Sequence, residues 1–150
     1  MPRYFEDLEV GETHSAQGRT LSEAEIIDFA TDYDPLPMHT DPDAAEESVH
    51  GGLIANGWHT CAVTWRMLVD AHFGEIAMMG GWGVDEVRWP APVRPGDTLS
   101  VEAALIEKTP VSKPDRGSID YEIEAFNQCN ETVLTYIDHV LVERRSPYSG

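Results

Sequence analysis

The sequence predicts an α+β fold in which a curved antiparallel sheet of about five strands wraps around a long central helix. Three observations carry this expectation. In the first half of the chain apolar residues recur at helical spacing, and from Gly80 onward they alternate with period two. Between the two patterns lies "HGGLIANGWHTCAVTWRMLVDAHF", residues 50–73, apolar nearly all round from Leu53 to Met67. A helix without a polar face is a buried one. The length of 150 residues, with no repeat and no linker, predicts one domain over residues 1–150.

The elements follow in chain order. An early strand near residues 12–21 is placed at a sheet edge. Ser22, with Glu25 three residues on, caps a short amphipathic helix, "SEAEIIDFATDY", whose apolar residues are Ala24, Ile26, Ile27, Phe29 and Ala30. Asp41 or Pro42 opens a single-turn helix, "DPDAAEES", with proline near its first position. Gly51 and Gly52 are placed at the start of the long helix, where they would leave backbone N–H donors open to approach. Asn56 and His59 are its polar interruptions. Gly57 costs about 1 kcal/mol relative to alanine inside a helix, which points to close packing there.

The strands "WGVDEVRW", "TLSVEAALIEK", "SIDYEIEAFNQ" and "TVLTYIDHVLVERR" are separated by the turn signals "PAPVRPGD", "PVSKPDRG" and "QCNE". The last turn is short, so the final two strands should be antiparallel neighbours. His139 alternates with apolar residues and is assigned to the outer strand face. Trp58, Trp65, Trp82 and Trp89 read as core or interface anchors.

Composition narrows the function. The chain is 41% hydrophobic and 25% charged, with no apolar run long enough to span a bilayer. "MPRYFEDLEV" lacks the apolar region of a secretory leader. Cys61 and Cys129 have no metal-ligand or CxxC spacing and read as free thiols, so a cytoplasmic location is expected. A net charge of −17, with only the two lysines Lys108 and Lys113, argues against a nucleic-acid partner. Arg88, Arg94, Lys108, Lys113 and Arg116 fall in one third of the chain, where a phosphorylated anion would meet them.

The chemistry concentrates in "DYDPLPMHTD". Asp34 and His39 stand five residues apart with Pro35 and Pro37 between them, and each proline fixes φ and biases its predecessor toward extended backbone. A carboxylate and an imidazole held by so stiff a segment can bind one water between them. A rival pattern is His39-Thr-Asp41 with distant His139, the ligand set of a non-haem iron site. That set needs a barrel strand, whereas this one lies between helical segments, and no metal is expected.

"DPLPMHTD", then "VHGGLIANGWHT", then "APVRPGDTL" lie in this order within residues 20–105 and resemble the MaoC-like dehydratase family, which includes the (R)-specific enoyl-CoA hydratases. The resemblance implies a hot-dog fold, usually as a homodimer or dimer of dimers. It also implies water addition to, or removal from, an acyl-CoA thioester in fatty acid metabolism, with no cofactor and no membrane or nucleic-acid partner. Asp34 and His39 take the catalytic positions. The backbone N–H of Gly51 or Gly52 takes the oxyanion position, and Asn56 stands where relatives place a small polar residue near the site. Leu36 occupies the place of an Asn or Gln and, with Asn56, Arg88 and Arg94, falls to the substrate side. The alternatives are a hot-dog acyl-CoA thioesterase and a non-catalytic acyl-CoA-binding dimer.

Overall fold

In the computed structural model, which describes residues 2–148, one antiparallel sheet has the order β1-β3-β4-β5-β2. Its strands are β1 (Thr13–Thr20), β2 (Met78–Arg88), β3 (Thr98–Pro110), β4 (Arg116–Phe126) and β5 (Thr132–Glu143). The helices are α1 (Glu23–Tyr33), α2 (Pro37–Thr40), α3 (Pro42–Glu46) and α4 (Gly57–Ala71). β1 and β2 are the two edges, and β4 and β5 pair across the short turn after Phe126, as the turn signals predict. The sheet curves around α4 in the hot-dog arrangement. Among the described residues no helix is long and apolar enough to cross a membrane.

Alternation decides which sheet face is dry. On β3 Leu99, Val101, Ala103 and Leu105 are buried, and on β4 Ile119, Tyr121, Ile123 and Ala125 are buried, all on the face toward α4. From α4 the buried residues are His59, Thr60, Thr64 and Leu68. The local signals for the short helices hold. The Ser22 hydroxyl accepts the N–H of Glu25 at 3.1 Å, and the Asp41 carboxylate accepts those of Asp43 and Ala44. Pro37 and Pro42 occupy first-turn positions, where a missing N–H breaks no helical bond.

One boundary corrects the expectation. The long helix begins at Gly57, not at Gly51 or Gly52. Leu53–Ala55 is buried but extended: the N–H of Ile54 donates to Met38 O at 3.1 Å and that of Ala55 to Val93 O at 2.8 Å. Gly51 lies in a turn at φ +67°, a conformation glycine adopts without strain. The cap is Asn56, whose side chain accepts the N–H of Trp58 at 2.8 Å.

The outer sheet face carries a charged clamp. His139 pairs with Asp120 across β4 and β5, opposite the core face, as expected from its alternation. Its Nδ1 donates to Asp120 at 2.6 Å and its Nε2 to Asp85 on edge strand β2 at 2.7 Å. Trp82 stacks on the ring at 4.4 Å and donates its indole N–H to Ser118. The two carboxylates, Asp120 foremost, raise the imidazole above its ordinary pKa. A raised folded-state pKa means the stabilisation is fully present below about pH 6.5 and is lost as pH rises through the folded value. The stability lost in His139→Gln, measured by urea unfolding, should therefore be about 1–2 kcal/mol at pH 6 and shrink toward zero in alkaline buffer. An equal loss at both pH values would show that the charge does not hold β2 in place.

Candidate active site

α1 ends at Asp34, whose N–H still bonds Ala30 O at 2.7 Å, and Pro35 then prevents the helix from continuing. Pro37 starts α2, a single turn that carries His39 inward until only 5% of it is exposed. The two breaks thus aim a carboxylate and an imidazole at each other. Asp34 Oδ2 lies 3.4 Å from His39 Nε2.

The extended stretch before α4 holds both groups. His39 Nδ1 lies 2.8 Å from the carbonyl of Ile54, an acceptor only, so Nδ1 carries a proton and Nε2 is the nitrogen turned to the Asp34 side. The Ile54 N–H donates to Met38 O, so one residue grips the backbone and the ring of neighbouring positions. Asn56 donates its amide Nδ2 to Asp34 Oδ2 at 2.7 Å while its oxygen caps α4. The same side chain therefore positions the carboxylate and starts the helix. Among the described residues the N–H of Gly57, the first residue of α4, meets no acceptor. Gly57 lines the same cavity as His39, at the positive end of the helix dipole.

That cavity has a volume of about 360 Å³ and is lined by His39, His50, Asn56, Trp89, Val93 and Val133, among others. A second cavity is walled by Phe29, Tyr33, Asp34, Asn56 and Trp58. Asn56 and Trp58 belong to both, His39 lines the first and Asp34 the second. Trp58 and Trp89 pack edge to face at 5.2 Å, and the Trp89 indole donates to Gly57 O at 3.0 Å. A Cβ at position 57 would come within 2.4 Å of the Trp89 ring, which accounts for the glycine.

Not every residue singled out in the sequence arrives here. Gly51 donates its N–H to Ser48 O at 3.1 Å and stands away from the helix start, so the donor at the dipole end is Gly57. Leu36 is half exposed and lines neither cavity beside the pair. Arg88 is exposed and bonds the neighbouring Val87 carbonyl. Arg94 donates to His50 O at 2.5 Å and braces the turn at Gly52 rather than facing the cavity. Three of the four tryptophans, Trp58, Trp82 and Trp89, are exposed, and only Trp65 packs against the core. His139, held on both nitrogens by Asp120 and Asp85, is not near His39 and Asp41, so the iron ligand set does not assemble. The sequence gives no sign of Ile54, and it marks Gly57 only for close packing and Trp89 only as a core or interface anchor. Asn56 followed by glycine was the available signal for the helix start.

A MaoC-like domain model matches residues 7–125. The chain belongs to the MaoC-like domain family. The MaoC-like dehydratase of Rhodospirillum rubrum superposes with a TM-score of 0.87 at 39% identity, covering 95% of this chain and 98% of that one. The chain is 33% identical over 108 residues to protein MaoC of Klebsiella aerogenes, a match that covers 71% of this chain but only 32% of the larger protein. It is 30% identical over 111 residues to the (R)-specific enoyl-CoA hydratase of Rhodospirillum rubrum, covering 73% and 74% of the two chains. Of these three, one is a dehydratase and one a hydratase by name.

Proposed function

We propose that this MaoC-like chain hydrates 2-enoyl-CoA thioesters, or in reverse dehydrates (R)-3-hydroxyacyl-CoA thioesters, with Asp34 and His39 as the catalytic pair. The observation that carries the reading is the 3.4 Å approach of Asp34 Oδ2 to His39 Nε2, the ring's other nitrogen being taken by the Ile54 carbonyl. A water bound between them bonds through its oxygen to the β-carbon. One member of the pair takes a proton from it, and the pair returns one proton to the α-carbon, so both residues end as they began.

Charge that develops on the thioester oxygen needs donors set in advance. The Gly57 N–H at the start of α4 fills that role, with the helix dipole aligned behind it. The thioester then lies in the cavity beside Trp89 and the acyl group in the one beside Phe29. This chemistry uses no cofactor beyond the CoA of the substrate and fits a cytoplasmic protein. The exposed tryptophans and edge strand β2 fit a homodimer, and (R) stereochemistry rests on the family relation.

Purified protein mixed with crotonyl-CoA is expected to bleach the enone absorbance without releasing free thiol. Thiol release would support a thioesterase in its place, and no reaction with saturable binding would support an acyl-CoA-binding module.

A further inference from the structure

The cavity at Asp34 is walled by rings. Of its five lining residues three are aromatic, Phe29, Tyr33 and Trp58, and the other two are Asp34 and Asn56. Asn56 donates to Asp34 at 2.7 Å and gives its oxygen to the cap of α4, so the polar part of the wall is engaged within the protein. Only Asp34 in this lining is charged. The chemistry that such a wall offers a ligand is apolar and aromatic.

The local fold sets the rings in place. Phe29 and Tyr33 stand four residues apart on α1 and share a helix face, with centroids 5.0 Å apart and planes at 50°. Tyr33 is the last residue of α1, directly before Asp34, so one helix end delivers both the aromatic face and the carboxylate. Phe29 is backed by His59, whose ring stacks on it at 4.5 Å with the planes 4° from parallel. Trp58 is held edge to face against Trp89 at 5.2 Å. Braced in this way, Tyr33 is still 75% exposed and Trp58 58% exposed. A single exposed apolar side chain is ordinary, but several gathered around a cavity mark a ligand site.

Size and ring chemistry narrow the ligand. The cavity has a volume of about 560 Å³. An apolar cavity of roughly 150 Å³ holds one benzene, so the methyl of a crotonyl group would leave this one largely empty. Aromatic rings pack on one another edge to face or offset, and gain attraction beyond the area they bury, which a saturated ring of similar size does not.

We propose that this cavity is an aryl subsite: the chain takes 2-enoyl thioesters whose acyl chain ends in an aromatic ring, which packs among Phe29, Tyr33 and Trp58. The proposal rests on the hydration reading above, which places the acyl group in this cavity. The probe is 4-phenylbut-2-enoyl-CoA, in which a methylene keeps the ring out of conjugation with the reacting double bond. Its saturated counterpart is 4-cyclohexylbut-2-enoyl-CoA, and crotonyl-CoA has no ring. The wild-type kcat/KM for the phenyl thioester should exceed that for the cyclohexyl one by at least about threefold and that for crotonyl-CoA by at least about tenfold.

Tyr33→Leu changes an exposed side chain, leaves the fold intact and should cut the phenyl-to-cyclohexyl ratio about threefold; Phe29→Leu should do the same. Tyr33→Phe keeps the ring and should hold the wild-type ratio. A smaller wild-type ratio, or one unchanged in both leucine variants, overturns the proposal, while turnover of crotonyl-CoA leaves hydration standing. Should Phe29→Leu fail to fold, Tyr33→Leu decides alone. Turnover of none of the three thioesters overturns the hydration reading and this proposal together.

Discussion

Asp34→Asn is expected to lower kcat for crotonyl-CoA hydration by about 10²–10⁴-fold, the contribution of a positioned acid–base group. The substitution is nearly isosteric, and the new amide oxygen can still accept the Asn56 Nδ2–H that the carboxylate now takes at 2.7 Å. The local fold therefore survives, and what is lost is the ability to take a proton. His39→Gln should show a loss of similar size. His39→Ala adds a structural cost, because it leaves the Ile54 carbonyl without its partner in a buried setting. Initial rates alongside thermal melts separate the two effects. An Asp34→Asn protein within about threefold of wild type would remove Asp34 from the mechanism.

Gly57→Ala is expected to destabilise the fold by about 1–3 kcal/mol, the usual cost of overpacking, and to lower activity as well. Alanine is normally the better helix former, so propensity alone predicts the opposite sign. The new methyl would meet the Trp89 ring within 2.4 Å, and the ring cannot retreat without giving up its hydrogen bond to Gly57 O. The same shift would disturb the helix start that lines the cavity. Pairing the substitution with Trp89→Ala removes the obstacle, so the double variant should recover stability relative to Gly57→Ala, with a coupling of about 0.5–3 kcal/mol. Purely additive losses would show that the two residues do not contend for one space.

Much of this was legible in the order of residues because the signals are local. The Ser22 and Asp41 caps, the proline breaks around Asp34 and His39, and the period-two strands from Gly80 each depend on neighbours a few positions apart. The start of α4 at Gly57 is hidden for an equally local reason. A run such as Leu53-Ile54-Ala55, buried on every side, looks the same whether extended or helical, and only its hydrogen bonds to Met38 and Val93 distinguish the two.

What the sequence hides is whatever strand register and loop packing bring together. His139 could be assigned to the outer face, but its grip on Asp85 joins residues 54 positions apart and follows from the β2–β5 pairing. The same holds for the candidate site. The Asp–His pair is visible as a spacing, while Ile54, Trp89 and the Phe29–His59 stack belong to packing. Arg88 and Arg94 stand out in the sequence by charge alone, and their side chains bond the carbonyls of Val87 and His50.

The grip of Ile54 on His39 bears on how this chain tolerates change. The group that sets the ring's tautomer is a main-chain carbonyl, held in turn through the main chain of Met38. Any residue other than proline at position 54 supplies the same carbonyl and the same N–H. The protonation pattern of the catalytic imidazole is thus insulated from drift in the side chains around it. Acyl preference can diverge along the walls of the two cavities while the reacting end of the site stays constant.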